Sequence, residues 1–301
     1  MGELYNVDKG TILNYAKEIG YKNHYRFELT EEQKRYIIDN YHNKLSKELA
    51  DELGCSVSLI KSVWRKSDIC NDKVRRTYYV NDNYFSSIDT KDKAYILGYL
   101  AADGCVYKRD GHIGMIPFAC KNNDIELLHM INQYMNSNYK IMIKERYCYL
   151  QINSDILVND LSKYNITPRK TWTYYPVSLK NEYLNWHFIR GYFDGDGSIY
   201  KTPNISGNIT PSSYRYTICG NFKTMQWMNN FLNENGVKSK MYQDKRKLHY
   251  SQDFYYINIR VIKSIYNMFN KMYHDSENLR LERKYNRSKE FINLYQSYYL
   301  N

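Results

Sequence analysis

The fold is decided by the stretch Ile96-Leu97-Gly98-Tyr99-Leu100-Ala101-Ala102-Asp103-Gly104. A second stretch of the same character, Ile189-Arg190-Gly191-Tyr192-Phe193-Asp194-Gly195-Asp196-Gly197, follows 93 residues later. In both, an apolar run with helical spacing ends in an aspartate, and the glycine after it can stop a helix. The repetition predicts two copies of one structural unit, each beginning with a helix that ends at an acidic residue.

Small residues occupy matching positions on one face of the two predicted helices. Gly98 and Ala102 are four residues apart, as are Gly191 and Gly195. Small side chains at this spacing let two helix backbones approach closely. Because a glycine inside a helix costs about 1 kcal/mol relative to alanine, its presence at matched positions favours a packing role. We therefore expect these residues to form a helix interface around a pseudo-two-fold axis.

The elements after each predicted helix come in the same order, αββαββα, which makes this region an α+β fold. In the first copy the patterns predict strands at 105–109 and 112–120, a helix at 124–135, strands at 139–145 and 147–153, and a helix at 155–164. In the second they predict strands at 198–202 and 214–220, a helix at 224–235, strands at 238–244 and 254–261, and helices at 262–273 and from about 281 to 299. The pairs Arg169-Lys170 and Arg283-Lys284 fall at matching places.

The beginning of the chain has a different character. Thr30 and Ser56 are helix-capping residues, and Gly54 separates two short helical patterns. Residues 28–70 resemble the small helix-turn-helix modules of bacterial and phage DNA-binding proteins. We expect a partial module of this kind at 1–27, a linker at 71–88, and the two repeated halves at 89–182 and 183–301. The exposed face of the last helix would enter a major groove, or would simply be solvated; it carries Ser58, Lys61, Ser62 and Arg65.

The charge of the chain points to a polyanionic partner, with nucleic acid first among the candidates. Its 43 basic and 32 acidic residues leave a net charge of +11. Residues 1–86 hold 14 basic and 13 acidic groups, whereas the remainder holds 29 and 19. A basic protein without such a partner would show the same total, but the excess lies in the repeated halves, where we expect a phosphate backbone to bind.

The two terminal aspartates, Asp103 and Asp196, suggest a metal site. A carboxylate at the C-terminal end of a helix meets the negative end of the helix dipole, and two neighbouring carboxylates repel each other. A divalent cation removes both penalties, and hard oxygen ligands suit Mg²⁺. One such aspartate would be an ordinary helix stop. Two copies in matching contexts favour the metal.

The two stretches and the repeats that follow them resemble the paired motifs and half-domains of the LAGLIDADG homing endonucleases, over roughly 89–301. The resemblance implies a saddle of antiparallel sheets and metal-assisted hydrolysis of a phosphodiester in each DNA strand. It assigns metal binding to Asp103 and Asp196, with Ala102 and Gly195 beside them, and supporting basic roles to Lys170, Lys284 and Lys121. The partner of Lys121 is Gly220 or Asn221, which is not basic. The family motif has an earlier acid, which is not the catalytic one, two residues before the metal-binding aspartate. At this position the first copy departs from the pattern with Ala101, whereas the second copy keeps Asp194.

The strands would read DNA on one face, while Val106 and Ile199 point into the core. The residues expected on the DNA face are Tyr107, Arg109, Ser198, Tyr200, Thr202, Arg215, Thr217, Lys240, Tyr242, Asn258 and Arg260.

The leading hypothesis is a monomeric, site-specific endonuclease for double-stranded DNA that uses Mg²⁺, with Mn²⁺ or another divalent cation as an alternative. An RNA-splicing maturase and a helix-turn-helix transcription regulator are the alternative functions, and the presence of both aspartates argues against the regulator. The sequence shows no signal peptide and no membrane span. We therefore expect a cytoplasmic, nucleoid-associated protein of a bacterial or phage-infected cell, encoded by a mobile element.

Overall fold

The computed structural model describes residues 28–41, 44, 46–67, 78–108, 113–245 and 254–300, together with positions 8, 11, 14, 15, 18 and 19. It divides into two compact units, residues 1–77 and 78–301. The expected partial module at 1–27 falls almost entirely outside the described residues, and residues 110–111, between the first two expected strands, fall wholly outside them.

Among its described residues, the first unit contains three short helices, α1 (Glu31–Asp39), α2 (Ser46–Leu53) and α3 (Val57–Lys66). Thr30 begins α1 with a capping box, and the Ser56 hydroxyl caps α3 by accepting from the Leu59 amide. The Trp64 indole donates to the Ile37 carbonyl at 3.0 Å and thereby ties α3 to α1. Helices α2 and α3 are joined by a tight turn at Gly54, whose φ of +62° favours glycine.

The second unit contains the two repeated halves. The first half consists of α4 (Lys91–Ala102), β1 (Met115–Lys121), α5 (Ile125–Tyr134), β2 (Ile141–Ile143), β3 (Tyr147–Asn153) and α6 (Asp155–Ser162). The second half consists of α7 (Glu182–Asp196), β4 (Gly197–Lys201), β5 (Tyr214–Asn221), α8 (Phe222–Glu234), β6 (Lys240–Gln243), β7 (Phe254–Ile259), α9 (Ile262–Tyr273) and α10 (Glu282–Tyr299). The second half confirms the order αββαββα, and α9 begins and ends where the sequence predicts.

Each half builds one antiparallel sheet. The strand order is β1-β3-β2 in the first sheet and β4-β5-β7-β6 in the second. The strand expected at 105–109 is reduced, among its described residues, to a single bridge between Tyr107 and Met115. Residue 109 lies outside the described residues, and β1 begins at Met115 rather than at 112. Among the described residues the first sheet therefore has three strands, whereas the second has four.

Residues 78–88, which we expected in the linker, belong to the second unit. Val80, Tyr84, Phe85 and Ile88 are buried in its hydrophobic core. The segment is also held by hydrogen bonds, since the Asn81 amide donates to the Met135 carbonyl at 3.1 Å. Apolar residues dispersed between polar ones hid this packing from sequence patterns. The same core contains Val106 and Ile199, as predicted.

Candidate active site

Helices α4 and α7 pack against each other through glycine. A Cβ atom added at Gly98 would lie 2.0 Å from the Phe188 carbonyl oxygen, and one added at Gly191 would lie 2.0 Å from the Tyr95 carbonyl oxygen. A Cβ atom added at Gly195 would lie 2.5 Å from the Ala102 Cβ atom and 3.4 Å from the Asp103 carboxyl carbon. The small residues predicted to form the interface therefore bring the two acidic helix ends side by side.

Two matched tyrosines connect this helix pair to the sheets. The Tyr99 hydroxyl donates to the Ala119 carbonyl at 3.0 Å, and the Tyr192 hydroxyl donates to the Cys219 carbonyl at 3.2 Å. The two bonds align β1 with β5, so that Lys121 corresponds to Asn221 rather than to Gly220.

Asn221 has a structural role in this arrangement. Its amide donates to the Tyr174 carbonyl at 2.8 Å, and its side-chain oxygen caps α8 by accepting from the Thr224 amide. Lys121, by contrast, is exposed at the end of β1. The two halves therefore differ in polarity at this end of the strands, as the sequence suggested.

The two lysines of the repeat are buried against the helix ends. The Lys170 ammonium donates to the carbonyls of Ala101 and Ala102 at 2.8 and 3.4 Å. The Lys284 ammonium donates to the carbonyls of Phe193 and Asp194, both at 2.7 Å, and to that of Gly195 at 3.3 Å. Only 5% of Lys170 and 6% of Lys284 is exposed, so neither is a solvated surface lysine. A cation at the C-terminal end of a helix offsets the partial negative charge there.

The charges of the site cross from one half to the other. Burial lowers the pKa of Lys284 to about 8, and it also lowers the pKa of Lys170. Asp196 opposes the shift of Lys170 more strongly than Asp103 does, whereas Asp103 acts on Lys284 more strongly than Asp196 does. Asp103 is partly open to solvent, but desolvation on its protein side raises the pKa of its carboxyl, with Lys284 the leading opposing charge.

The donor atoms at the helix ends suit a hard cation. No cluster of three or more His, Cys, Asp or Glu side chains that could hold a metal occurs in the described part of the chain. Mg²⁺ needs no such cluster, because it retains several waters and binds through one or two carboxylates plus substrate phosphates. Asp103 and Asp196 supply the carboxylates, and the carbonyls of Ala102 and Gly195 keep acceptor capacity because the lysine bonds to them are long. These residues fit the proposed metal.

The earlier acid of the second stretch, Asp194, is wholly internal. Its carboxylate accepts from the Tyr95 hydroxyl at 2.7 Å and from the Leu281 amide at 2.8 Å. Burial raises the pKa of this carboxyl. Because Leu281 directly precedes α10, Asp194 fixes the helix that carries Lys284. Its counterpart Ala101 can make no such bond.

Two arginines on α10 extend the site, and neither was predicted as a site residue, although Arg283 had marked the repeat. Arg283 donates to the Asp124 carboxylate of the first half at 3.0 Å, and Arg287 donates to the Ile199 carbonyl at 3.3 Å. Both line a cavity of about 540 Å³ together with Lys284 and Ser198. Their spacing of four residues on one helix, starting one residue before Lys284, was the available signal.

Most residues expected on the DNA face of the second half lie together. A cavity of about 790 Å³ along this sheet is lined by the predicted residues Ser198, Tyr200, Arg215, Thr217, Tyr242 and Asn258. Lys240 pairs with Asn258 and shares its face, and Tyr256 is a lining residue that the sequence interpretation missed. Thr202 and Arg260 are exposed just beyond the strand ends.

The other residues expected at DNA lie in three places. Tyr107 is exposed at the first sheet, and Arg109 lies outside the described residues. In the first unit, Ser58, Lys61 and Arg65 are exposed on α3, and Ser62 is partly buried beside them. This helix surface is available for contact, and its role stays a prediction.

Several solved structures are similar to this fold. The chain is similar to meganuclease I-SmaMI bound to uncleavable DNA, with 12% identity, a TM-score of 0.47, and coverage of 66% of this chain and 88% of that one. It is also similar to I-GzeII in complex with its DNA target, with 12% identity, a TM-score of 0.46, and coverage of 66% of this chain and 88% of that one. A third similar structure is I-AabMI bound to uncleaved DNA, with 11% identity, a TM-score of 0.45, and coverage of 66% of this chain and 88% of that one. These similar structures are LAGLIDADG homing endonucleases.

In sequence, no protein-family model matches the chain, and no curated protein matches it. No helix in the described ranges is long and apolar enough to cross a membrane.

Proposed function

We propose that this chain is a LAGLIDADG endonuclease that cuts a specific site in double-stranded DNA, hydrolysing one phosphodiester bond in each strand with Mg²⁺ or a similar divalent cation. The observation that carries the proposal is the pair of acidic helix ends, Asp103 and Asp196, brought side by side by glycine packing with a buried lysine behind each helix end. An ordinary helix stop explains neither the pairing nor the lysines.

The residues of the chain divide the work. Asp103 and Asp196 hold the cation, which when bound lowers the pKa of a water and stabilises the leaving oxygen. Lys170 and Lys284 offset the partial negative charge of the helix-end carbonyls behind these acids. They also place positive charge beside the reacting phosphate. Arg283 and Arg287 line the cavity next to Lys284 and bind phosphate oxygens there. Lys121 adds charge at the end of β1 only.

Double-stranded DNA is the substrate that the sheets fit. An antiparallel ribbon of two strands can enter the major groove of B-DNA, whereas the major groove of A-form RNA is deep and narrow. This difference favours the endonuclease over a maturase that binds intron RNA. Helix α3 of the first unit adds contacts to flanking DNA. Because one chain contains both acids, the protein acts as a monomer. It acts on nucleoid DNA, and a mobile element encodes it.

The test is cleavage of a random duplex library in the presence of Mg²⁺, followed by assays on the selected site. Asp103→Asn and Asp196→Asn should each abolish double-strand cleavage while binding to the site persists. Glu126→Gln, which removes an exposed carboxylate from α5, is the control and should cleave as the unmodified protein does. Chelation of the cation should stop cleavage. Full cleavage by both aspartate variants would refute the active site.

A further inference from the structure

The outer faces of the two sheets can be compared residue by residue. Tyr107 pairs with Met115 in the first half as Tyr200 pairs with Arg215 in the second. Pro117 pairs with Gln151 as Thr217 pairs with Asn258. Met115 therefore occupies the position of Arg215, and Gln151 that of Asn258.

At these matched positions the first sheet is satisfied internally and the second is not. The Gln151 amide donates to the Met115 sulfur at 3.4 Å and to the Asn153 side-chain oxygen at 3.3 Å. The Arg215 Nε atom and the Asn258 Oδ1 atom are shielded from solvent without a hydrogen-bond partner among the described residues. A polar atom that is shielded from solvent without a hydrogen-bond partner lowers the stability of the fold. When such an atom occurs, a bound ligand or water is the usual explanation.

The unpaired atoms belong to side chains that can turn toward a ligand. Arg215 and Asn258 are only partly buried, and both line the cavity of about 790 Å³. Side-chain rotation at an interface is common on binding. An arginine offers donors that match O6 and N7 of guanine, and an asparagine offers the acceptor and donor that match N6 and N7 of adenine. Both side chains can therefore recognise a base through direct hydrogen bonds in the major groove.

The spacing of the two residues suits neighbouring base pairs. Asn258 pairs with Thr217, two residues along β5 from Arg215, so Arg215 and Asn258 are diagonal neighbours. Such neighbours are roughly 7 Å apart, and nucleotides in one strand are about 3.4 Å apart. The two side chains therefore reach positions about two base pairs from each other.

The first sheet offers less of this chemistry. Along β1 its outer face presents Met115, Pro117 and Ala119 before Lys121, and Met142 lies on the same face of β2. These apolar side chains contact thymine methyl groups or fill the groove, and the Gln151 amide, which is of a type that pairs with adenine, is already hydrogen-bonded within the sheet.

We infer that the second sheet supplies most of the sequence discrimination, with Arg215 reading a guanine and Asn258 reading an adenine about two base pairs away. The first sheet holds its half-site by shape and by backbone charge. This inference rests on the proposed function, since it requires a DNA duplex in the groove.

The experiment measures binding of the full chain to its selected site and to every single-base-pair variant of that site, with Ca²⁺ in place of Mg²⁺ to hold back cleavage. A mismatched base pair at a read position should weaken binding on the order of 10- to 100-fold. Arg215→Ala should abolish discrimination at one guanine, and Asn258→Ala at one adenine close to it. Met115→Ala and Gln151→Ala are the matched variants of the first sheet, and each should change discrimination at any position less than Arg215→Ala and Asn258→Ala do at the positions they read.

The expected profile has its steep positions on one side of the cut, the side that contains the guanine marked by Arg215→Ala. A profile equally steep on both sides would overturn the inference, as would a uniform loss of affinity in Arg215→Ala, which would make Arg215 a phosphate contact. In both cases the duplex is still bound and cleaved, so the proposed function survives. If no duplex from the library is bound or cleaved, the proposed function itself fails.

Discussion

The two halves of the second unit share a framework and differ in what they add to it. Shared positions hold the helices together and join them to the sheets, as with the glycines of α4 and α7 and the tyrosines Tyr99 and Tyr192. The buried lysines of the repeat also match. Differences lie on the outer faces of the sheets, where Met115 stands in the position of Arg215. The proposed cleavage of both strands needs the symmetry, whereas the proposed asymmetric readout of the target needs the difference.

The interior also differs between the halves. Helix α7 buries His187, Arg190 and Asp194, and the matching residues of α4 are Ala94, Leu97 and Ala101, 93 positions earlier. Arg190 lies over the Tyr95 ring at 4.8 Å and shares a hydrogen bond of 2.6 Å with His187. The second half therefore depends on a buried polar network where the first half uses apolar packing. The comparison suggests four ways to separate what is shared from what is not.

The largest effect is expected at the glycines of the shared framework. Gly191→Ala would push a methyl group to 2.0 Å from the Tyr95 carbonyl oxygen, so the helices must separate. We expect a loss of about 3 kcal/mol or more in the free energy of unfolding, measured by urea denaturation. Gly98→Ala should match it. Gly207→Ala, at a glycine with open space around it, is the control and should lose about 1–2 kcal/mol through its positive φ. Equal losses at Gly191 and Gly207 would contradict the close packing.

The next effect tests whether the two lysines serve separate strands. Lys170→Met and Lys284→Met keep the length of the side chain but remove the charge, and we expect each to slow the cutting of one strand by about 10²–10³-fold. Of the two helix-end acids, Asp196 acts more strongly on Lys170 and Asp103 acts more strongly on Lys284, so the two variants should accumulate opposite nicks. Duplexes labelled at either end distinguish the strands. Slowing of the same strand by both variants would show that the lysines do not serve separate strands.

A smaller effect distinguishes the structural acid, Asp194, from the proposed metal-binding acid, Asp103. Asp194→Ala leaves the Tyr95 hydroxyl and the Leu281 amide without their acceptor inside the protein, which should cost about 2–3 kcal/mol in the free energy of unfolding. Asp103→Asn should cost nothing or stabilise slightly, because desolvation already disfavours its charge. Chemical denaturation measures both. If Asp103→Asn proved the more destabilising, the assigned roles would be reversed.

The effect expected to be smallest near neutral pH is the pH dependence that the buried histidine adds to the second half. Burial, with Arg190 second, lowers the pKa of His187 from 6.5 to about 3. The unfolded chain therefore takes up a proton first, so the free energy of unfolding should fall as the pH drops from about 6.5 toward 3, by up to about 1.4 kcal/mol per pH unit. His187→Gln should have a shallower slope than the unmodified protein between pH 6 and 4 in denaturation experiments. Identical slopes would show that the histidine is not held neutral.

Local patterns in the chain determined a large part of this protein. The repeated stretches, the glycines at four-residue spacing and the position of α9 follow from periodicity and helix-breaking residues, which act over a few residues. The matched lysines were visible as a second mark of the repeat. Because these signals are local, they survive in a single sequence.

Other features were decided only by tertiary structure. Residues 78–88 pack into the core because segments distant in the chain bury them. Lys170 and Lys284 are buried because carbonyls at helix ends distant in the chain accept their hydrogen bonds. The correspondences of Lys121 with Asn221 and of Met115 with Arg215 depend on strand register. A shift of one residue would move these side chains to the opposite face of the sheet. Register and burial arise from contacts between distant residues, and no local pattern contains them.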